Sequence, residues 1–285
     1  MKVEIRRAKA SDKEPLMRFI RHIWGGHDYI PWVWDEWIAD KSSALFVVEV
    51  DGVPVGMNRM RYMPDGSGWL EGVRIHPGYR GKGLASMLGR ASMEVGSKKG
   101  VKIYRLTSHS RNWRAHRQVR KLGLREVSRL SVYEAPKGMR FGAVSGVRTV
   151  KPEEAKDAFD AMRNTREFQL GGGLYWDTFT ASKLSAEIVA REAEAGDVLS
   201  LGSALALAKI GGEGSHQWRQ VCFLCGEASD SMSLVRHVFG RRERVRAAWR
   251  IVYLPQGSKI IGALRAAGFR RAAPMVVYEG RAAKS

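Results

Sequence analysis

A glutamate and a basic, glycine-rich turn stand close together in the first half of the chain. Glu71 lies within residues 69–75, which are apolar and β-branched enough to form a strand. Residues 80–85 read Arg-Gly-Lys-Gly-Leu-Ala, and residues 84–95 place apolar side chains on one helical face. Glycines allow successive backbone N–H groups to turn toward one point, and the N-terminus of a helix favours negative charge. We therefore predict an anion-binding turn beside a carboxylate that can accept a proton.

The spacing of the glycines narrows the identity of the anion. A mononucleotide loop would read Gly-x-x-x-x-Gly-Lys-Ser/Thr, which is absent, and Ser86 stands where a dinucleotide-binding turn has its third glycine. The pattern Arg80-x-x-Gly83-x-Ala85 after a strand resembles the pyrophosphate loop of the GCN5-related N-acetyltransferases, the GNAT superfamily, in which the loop holds coenzyme A. The alternative is an ordinary connection between a strand and a helix, since glycine and arginine are common in such turns.

The resemblance implies roles for further residues. In the family, the strand before the loop pairs its backbone with the pantetheine arm of acetyl-CoA, as an added strand would. Asn112 and Ala115 match the start of the helix that lies beside the cofactor. The cofactor-binding residues implied in this way are Val73, Arg74, Ile75, Arg80, Gly81, Lys82, Gly83, Leu84, Ala85 and Asn112.

Glu71 occupies the position at which many members of the family keep a catalytic glutamate. An ammonium group must lose a proton before its nitrogen can attack a thioester, and a carboxylate can accept that proton directly or through water. The alternative is that Glu71 neutralises a nearby cation such as Arg74. Val119 occupies the position of the family's proton-donating tyrosine. The candidates for that step are His116, Ser110, His109 or a water molecule.

Residues 24–37 are rich in aromatic side chains, and Pro31 is placed to open a second helix. In the GNAT superfamily the first two helices form walls of the acceptor site. Residues 25–31 with Trp37, and the motif Glu-Gly-x-Arg-x-x-Pro at 71–77, are similar to the vertebrate histidine N-acetyltransferase group. This similarity implies an acceptor with an α-amino group, on a small amino acid or a peptide. The implied substrate residues are Asp28, Tyr29 and Trp37. Four tryptophans in fourteen residues are more commonly a pattern of core packing.

The predicted elements across residues 3–135 are a strand, two helices, three strands in a meander, a helix, a strand, a helix and a strand. That is the element order of the GNAT superfamily. The second half repeats the first. At a shift of 145 residues, 105–106 align with 250–251, 123–125 with 268–270, and 132–134 with 277–279. We predict an α+β fold of two tandem GNAT-like domains, 1–137 and 138–285, each with a mixed, mostly antiparallel sheet flanked by helices.

The two copies differ where the anion-binding turn should be. The second copy has Glu227 and Asp230 where phosphate groups would lie, and a carboxylate repels a pyrophosphate. We therefore expect no coenzyme A in the second domain. Residues 135–146, rich in glycine, are predicted to be the linker. Cys222 and Cys225 lie three apart in a predicted strand, which puts them on opposite faces, and we predict two buried thiols and no metal site.

The amino-acid composition indicates which binding partners and which cellular location to expect. The 48 Lys and Arg residues outnumber the 29 Asp and Glu residues, which gives a formal net charge of +19. So basic a chain can bind a polyanionic cofactor or nucleic acid, and the competing function is a nucleic-acid-associated binding module in which catalysis has lapsed. No run reaches the ~20 apolar residues of a membrane span, and the amino terminus lacks an apolar signal region, which predicts a cytoplasmic protein without membrane contact. The scarcity of Asn and Gln is typical of thermophiles, and a GC-rich genome is the alternative contribution.

Together these patterns predict an acetyl-CoA-dependent N-acetyltransferase. The acetyl group would pass directly to a primary amine of a small molecule or peptide in a ternary complex, because the first half shows no serine or cysteine with a plausible catalytic triad. The sequence leaves the acceptor, the acyl-chain length and the oligomeric state open.

Overall fold

The chain forms two compact units. The computed structural model describes residues 2–142, 144–213, 216–241 and 249–282. The first unit combines Met1–Glu126 with Tyr278–Ser285, and the second unit is Val127–Val277. The predicted ranges 1–137 and 138–285 therefore differ from these units both at their junction and near the end of the chain.

The first unit follows the order of elements expected from the sequence. Its strands are β1 (Val3–Arg7), β2 (Ser43–Val50), β3 (Val53–Tyr62), β4 (Gly68–Ile75) and β5 (Tyr104–His109). Its helices are α1 (Lys13–Ile20), α2 (Ile30–Ala39), α3 (Leu84–Lys98) and α4 (Trp113–Lys121). Pro31 lies in the first turn of α2, where a missing N–H costs no hydrogen bond, so the predicted opening of this helix is confirmed.

The sheet of the first unit has the order β1–β2–β3–β4–β5. The pairs β1–β2, β2–β3 and β3–β4 are antiparallel, whereas the pair β4–β5 is parallel. Helices α1 and α2 pack their apolar sides onto β2 and β3 in one buried cluster. Its members include Leu16, Ile20, Ile30, Trp34, Trp37, Val47 and Met57. This packing fixes α2 over the sheet, so that both ends of the helix lie near β3 and β4.

The second unit has its own apolar core. Its strands are β6 (Arg125–Glu134), β7 (Arg148–Thr149), β8 (Leu174–Asp177), β9 (Thr180–Lys183), β10 (Val198–Leu201), β11 (Ala204–Glu213), β12 (His216–Cys225), β13 (Trp249–Pro255) and β14 (Arg270–Gly280). Its helices are α5 (Ala155–Arg163), α6 (Arg166–Leu170), α7 (Ala186–Glu194), α8 (Ala228–Gly240) and α9 (Ile260–Ala266). The large sheet of this unit has the order β14–β6–β13–β12–β11–β10–β7, and β8 and β9 form a separate pair.

Strands β6 and β14 occupy positions that the sequence did not predict. We expected β6 to close the first domain, but it pairs with β13 of the second unit, with Ile251 opposite Glu134. The last residues of β14 belong instead to the first unit, where Glu279 accepts a hydrogen bond of 2.7 Å from Arg105 Nε. The physical reason is the repeat itself: both strands carry Val-Tyr-Glu at or next to their last residue, so either one satisfies the same pattern of buried and exposed side chains.

The predicted linker at residues 135–146 is part of the second unit rather than a free connection. Met139 and Phe141 pack against its apolar core, and the Phe141 ring lies 5.4 Å from the Phe239 ring. Apolar side chains within the glycine-rich stretch therefore anchor it.

The two cysteines are buried free thiols, as predicted, but they share one side of the sheet. In the β11–β12 ladder Leu207 lies opposite Phe223 and Ala208 opposite Val221, so Cys222 is the extra residue of a bulge. The bulge breaks the strict alternation of the strand. Cys222 and Cys225 consequently belong to the same apolar cluster. Of the helices that the structure describes, none is long and apolar enough to cross a membrane.

Candidate active site

A bulge in β4 organises the site. Arg59 of β3 lies opposite Glu71, whereas Met57, two residues away, lies opposite Arg74. The β4 strand thus has one residue more than β3 in this interval, and Gly72 takes a φ of +68° to accommodate it. Because Arg59 and Met57 project to the same face of the sheet, their partners Glu71 and Arg74 do so too. Without the bulge, an offset of three residues would place these two side chains on opposite faces.

Trp37 of α2 holds the bulge in place. A Cβ atom added to Gly72 would lie 2.7 Å from the Trp37 ring, so only glycine allows the ring to lie so close to the backbone. The same ring lies under the Arg59 guanidinium, at 4.5 Å, and edge-on to Tyr29, at 5.8 Å. Trp37 is 1% exposed. Trp37 is therefore a core residue that packs beneath Arg59 and Gly72. For this tryptophan the structure agrees with the core-packing alternative.

Glu71 shares a buried arginine with a second carboxylate. Arg59 Nη1 donates to Glu71 Oε1 at 3.1 Å, and Arg59 Nη2 donates to Asp40, which follows the last residue of α2. The counter-ion of Glu71 is thus Arg59 and not Arg74, the cation suggested by the sequence. The other oxygen of Glu71, Oε2, accepts no hydrogen bond from any residue that the structure describes. That oxygen is available to receive a proton.

The two carboxylates around Arg59 have opposite pKa shifts. Burial raises the pKa of Glu71 above its ordinary value, and the nearby charges of Arg59 and Arg61 only partly offset this effect. Burial would also raise the pKa of Asp40, but hydrogen bonds from Ser42 and Arg59 outweigh it and lower that pKa to about 2. Asp40 therefore remains ionised at neutral pH and keeps Arg59 in place, whereas Glu71 is the more basic carboxylate of the pair.

Arg74 forms the second charged cluster on the same face. Its Nε and Nη2 atoms donate to the two carboxylate oxygens of Asp28, at 2.5 and 3.1 Å. Asp28 also accepts the Ile30 N–H at the start of α2, at 3.0 Å. The guanidinium carbon of Arg74 lies 4.5 Å from the Trp24 ring and 5.5 Å from the Tyr29 ring. These contacts fix the orientation of Arg74.

The three predicted substrate residues differ in how exposed they are. The side chain of Asp28 is fully buried and both of its oxygens accept hydrogen bonds from Arg74 or the Ile30 N–H, so it is not exposed to a ligand. Trp37 is likewise enclosed beneath Arg59. Tyr29 is partly exposed and borders Arg74, which leaves it able to touch a ligand.

The glycine-rich turn presents an open set of backbone donors at the start of α3. Gly81 and Gly83 have φ values of +83° and +79°, and a Cβ atom added at either would meet nothing within 4 Å. No described residue accepts the N–H groups of Gly81, Gly83, Leu84 or Ala85. Arg80 and Lys82 are exposed beside them, and Arg80 Nε donates to the Ile75 carbonyl at 3.2 Å. This arrangement suits phosphate oxygens.

Strands β4 and β5 separate next to this turn. Their parallel ladder covers only Gly68 with Tyr104 and Trp69 with Arg105 among the described residues. The later backbone of β4, which includes Val73 and Ile75, therefore has no strand partner on that edge. The Val73 carbonyl accepts Arg74 Nη1 at 3.0 Å, but a carbonyl has two lone pairs and retains one. An extended chain such as a pantetheine arm can add to this edge as a strand would.

The start of α4 contains the remaining predicted residues. Asn112 Oδ1 accepts the Ala115 N–H at 3.2 Å, which makes Asn112 the N-cap of this helix. One turn further, His116 Nδ1 lies 2.6 Å from the Tyr278 hydroxyl, and His116 Nε2 lies 3.1 Å from the Ser110 carbonyl. A carbonyl only accepts, so Nε2 carries the proton and Nδ1 accepts from Tyr278 when the ring is neutral.

The corresponding turn in the second unit is filled by its own chain. Asp230 Oδ2 accepts both the backbone N–H and the hydroxyl of Ser203, each at 3.0 Å. Ser203 Oγ in turn accepts the Glu227 N–H at the N-terminus of α8, at 3.0 Å. At the N-terminus of α8, Ser203 thus accepts a backbone N–H and Asp230 adds a negative charge. At the N-terminus of α3, by contrast, the backbone N–H groups are open.

Sequence reasoning missed Arg59, Asp40 and Tyr278. The alternation of Arg59 and Arg61 along β3 was a usable signal for Arg59, because charged residues at every second position of a buried strand require partners. The contact between Tyr278 and His116 had no such signal, since it depends on the exchanged position of β14.

Part of the sequence is similar to known acetyltransferases. Residues 12–124 match the model of the acetyltransferase (GNAT) family. A histidine N-acetyltransferase of Oreochromis niloticus is 31% identical over 103 residues, which are 35% of this chain and 31% of that protein. The chain thus spans about a third of the length of this curated relative.

Several solved structures resemble the whole chain. A GCN5-related N-acetyltransferase from Sphaerobacter thermophilus has a TM-score of 0.63 at 14% identity, with 98% of this chain and 95% of the other covered. A tandem GNAT protein from the clavulanic acid biosynthesis pathway has a TM-score of 0.56 at 15% identity, with both chains fully covered. Identities this low show the fold alone. The sequence of residues 12–124 thus resembles the GNAT acetyltransferase family, and the chain as a whole has a tandem GNAT fold.

Proposed function

We propose that the protein is an acetyl-CoA-dependent N-acetyltransferase whose active site lies in the first unit. The observation that carries the proposal is a set of four backbone N–H groups at the N-terminus of α3 that donate to no described residue, those of Gly81, Gly83, Leu84 and Ala85. Together with the gap between β4 and β5, it provides a place for a pyrophosphate and an extended arm. The basic side chains of Arg80 and Lys82 add positive charge beside the phosphates.

Acetyl-CoA would supply an activated acetyl group at this site as a thioester. Glu71 takes the proton of the acceptor's ammonium group at Oε2, so that the free amine can attack. Its raised pKa makes it a stronger base than an exposed glutamate, and Arg59 keeps its other oxygen in position. A buried glutamate with an unoccupied oxygen favours catalysis over the alternative of a nucleic-acid-binding module in which catalysis has lapsed, since such a module would not require it.

The acceptor is a primary amine of a small molecule or peptide. The relatives named as histidine N-acetyltransferases support an amino acid as acceptor, and Tyr29 and Arg74 border the place where its amine would meet Glu71. The proton that the leaving thiolate requires can come from water or from the His116–Tyr278 pair. We further propose that one acetyl-CoA binds per chain, because Asp230 and Ser203 fill the equivalent turn of the second unit.

The test is an assay of coenzyme A release with a panel of amines: L-histidine, other amino acids, their amides and decarboxylated forms, short peptides and polyamines. A thiol reagent reads the released coenzyme A, because Cys222 and Cys225 are buried in the folded protein. Mass spectrometry identifies the acetylated product. The proposal fails if no amine increases release above the rate of acetyl-CoA hydrolysis.

A further inference from the structure

Arg74 has more hydrogen-bond donors than the described residues use. A guanidinium group carries five N–H bonds. Arg74 spends one from Nε and one from Nη2 on Asp28, and one from Nη1 on the Val73 carbonyl. One N–H on each terminal nitrogen therefore donates to no residue that the structure describes, although only 10% of this side chain is exposed. A donor left unpaired in so enclosed a position costs free energy, which an acceptor from a ligand would recover.

The surroundings of Arg74 hold it ready for such a ligand. Asp28 binds it through two parallel hydrogen bonds and is itself fixed by the Ile30 N–H. The rings of Trp24 and Tyr29 lie over the guanidinium and limit its contact with water. An arginine with a fixed orientation loses little conformational entropy when it binds an anion. The two remaining N–H groups match the two oxygens of a carboxylate.

The bulge at Gly72 sets the distance between Arg74 and Glu71. The two residues are three apart on β4 and share one face, so their Cα atoms lie roughly 10 Å apart or less, at about 3.3 Å per residue. A molecule that meets both side chains is therefore of the size of one amino acid. Its amine would lie at Glu71 and its anionic group at Arg74.

The charges around the site also suit a molecule with both signs. Among the residues that the structure describes, the ion pairs and charge interactions of this site join three positive and three negative side chains: Arg59, Arg61, Arg74, Asp28, Asp40 and Glu71. A zwitterion leaves this sum unchanged and pairs each of its groups with an opposite charge. A simple amine would satisfy Glu71 and leave the Arg74 donors unpaired.

We propose that Arg74 binds the carboxylate of the acceptor, and that the acceptor is a free amino acid rather than a simple amine. The inference rests on the proposed acetyltransferase function and deepens it. Asp28, Trp24 and Tyr29 act by holding Arg74 in its binding orientation. Arg74 is thus the residue that distinguishes an amino acid from the decarboxylated amine with the same side chain.

The first test uses the wild-type protein and needs no substitution. kcat/KM is measured for each accepted amino acid, its carboxamide and its decarboxylated amine, for example L-histidine, L-histidinamide and histamine. We expect the amino acid to exceed both derivatives by roughly 10- to 100-fold, the range of a charge-assisted hydrogen-bond pair, mainly through KM. Equal values for the three members of a set would overturn the inference.

The second test is Arg74→Gln, with Arg18→Gln as the matched control. Arg18 is an exposed arginine of α1 that pairs only with Glu14 on the same helix among the described residues. Arg74→Gln should lower the preference for the amino acid over its decarboxylated amine by at least tenfold, whereas Arg18→Gln should leave that ratio unchanged. A loss of equal size for both acceptors would show that Arg74 serves only to anchor α2 to β4. The melting temperature and acetyl-CoA affinity of each variant report whether it folds.

The two proposals fail in different ways. If no amine is acetylated, the proposed function itself is wrong. If amines are acetylated regardless of a carboxylate, the acetyltransferase function holds and the role of Arg74 is refuted. If Arg74→Gln does not fold, the wild-type comparison of matched acceptors still decides.

Discussion

Replacement of Glu71 by glutamine tests the centre of the proposed chemistry. Glutamine keeps the size of the side chain and an oxygen that can accept the hydrogen bond from Arg59 Nη1. It removes the negative charge and the ability to accept a proton at Oε2. We expect kcat to fall by roughly 10²–10⁴-fold, the usual contribution of a general base, while acetyl-CoA affinity stays close to that of the wild type. The affinity should be retained because, in the proposed function, the α3 turn and the backbone of β4 hold the cofactor.

The pH dependence follows from the direction of the pKa shift. Burial raises the pKa of Glu71 above 4.5, so the wild-type activity should fall as the pH decreases through that raised value and Glu71 becomes protonated. This acidic limb should disappear in Glu71→Gln. The loss of activity should also shrink as the pH approaches the pKa of the acceptor amine, because free amine is then abundant without a base. The measurement is kcat and kcat/KM from coenzyme A release across the pH range in which the protein stays folded.

Stability supplies a separate check on the same substitution. A carboxyl group whose pKa is raised by folding stabilises the native state when protonated and destabilises it once the pH rises through the folded pKa. Glutamine removes that cost at neutral pH but leaves Arg59 with Asp40 as its only carboxylate among the described residues. The melting temperature should therefore change little. Glu94 forms an exposed ion pair with Lys98 on α3, so Glu94→Gln is the control for the exchange itself.

Wild-type turnover in Glu71→Gln at neutral pH would refute the base assignment. A loss of turnover that persists unchanged at high pH would assign Glu71 to substrate positioning.

Three further predictions concern the turn, its counterpart and the bulge. Gly83→Asp places a carboxylate among the open N–H groups and should abolish acetyl-CoA binding by calorimetry without unfolding the protein, whereas Gly66→Asp, also at positive φ in open surroundings, should bind normally. Retained affinity in Gly83→Asp would contradict the assignment of the turn. Calorimetric titration of the wild type should give one coenzyme A per chain, and two equivalent sites would contradict the role given to the second unit. Gly72→Ala should destabilise the fold by about 1–3 kcal/mol for its backbone conformation, plus the cost of moving Trp37, and should abolish turnover. Gly100→Ala carries only the backbone cost because its added Cβ meets nothing within 4 Å, so equal melting temperatures for these two variants would show that the Trp37 contact is unimportant.

Local patterns in the sequence were enough to predict most elements of the first unit. The β-branched run before the turn, the paired glycines and the apolar face of α3 each determine structure through neighbours along the chain. The starts of two helices are local in the same sense, because a helix cap depends on a few adjacent residues. They are Asn112 at the start of α4 and Pro31 in the first turn of α2. The candidate site residues on these elements could therefore be placed on the correct strand, turn or helix from the sequence alone.

Interactions between distant segments could not be predicted in the same way. The role of Asp28 depends on its pairing with Arg74, which requires both the docking of α2 and the bulge that turns Arg74 toward it. The exchange of β6 and β14 was hidden for a related reason. Two strands with interchangeable patterns satisfy the same neighbours equally well, so the choice between them is made by the connections and not by the side chains.

The position of Tyr278–Gly280 in the first unit has a consequence for synthesis on the ribosome. Arg105 is a buried arginine that pairs with Asp65 and with Glu279, and the second of these partners is made roughly 150 residues after the rest of the unit. At about 5–20 residues per second, the nascent chain waits on the order of ten seconds or more before the unit can be completed. During that interval the free edge of β5 is exposed and open to incorrect strand pairing. Translation to the end of β14 is thus a step in the maturation of the domain that precedes it in the sequence.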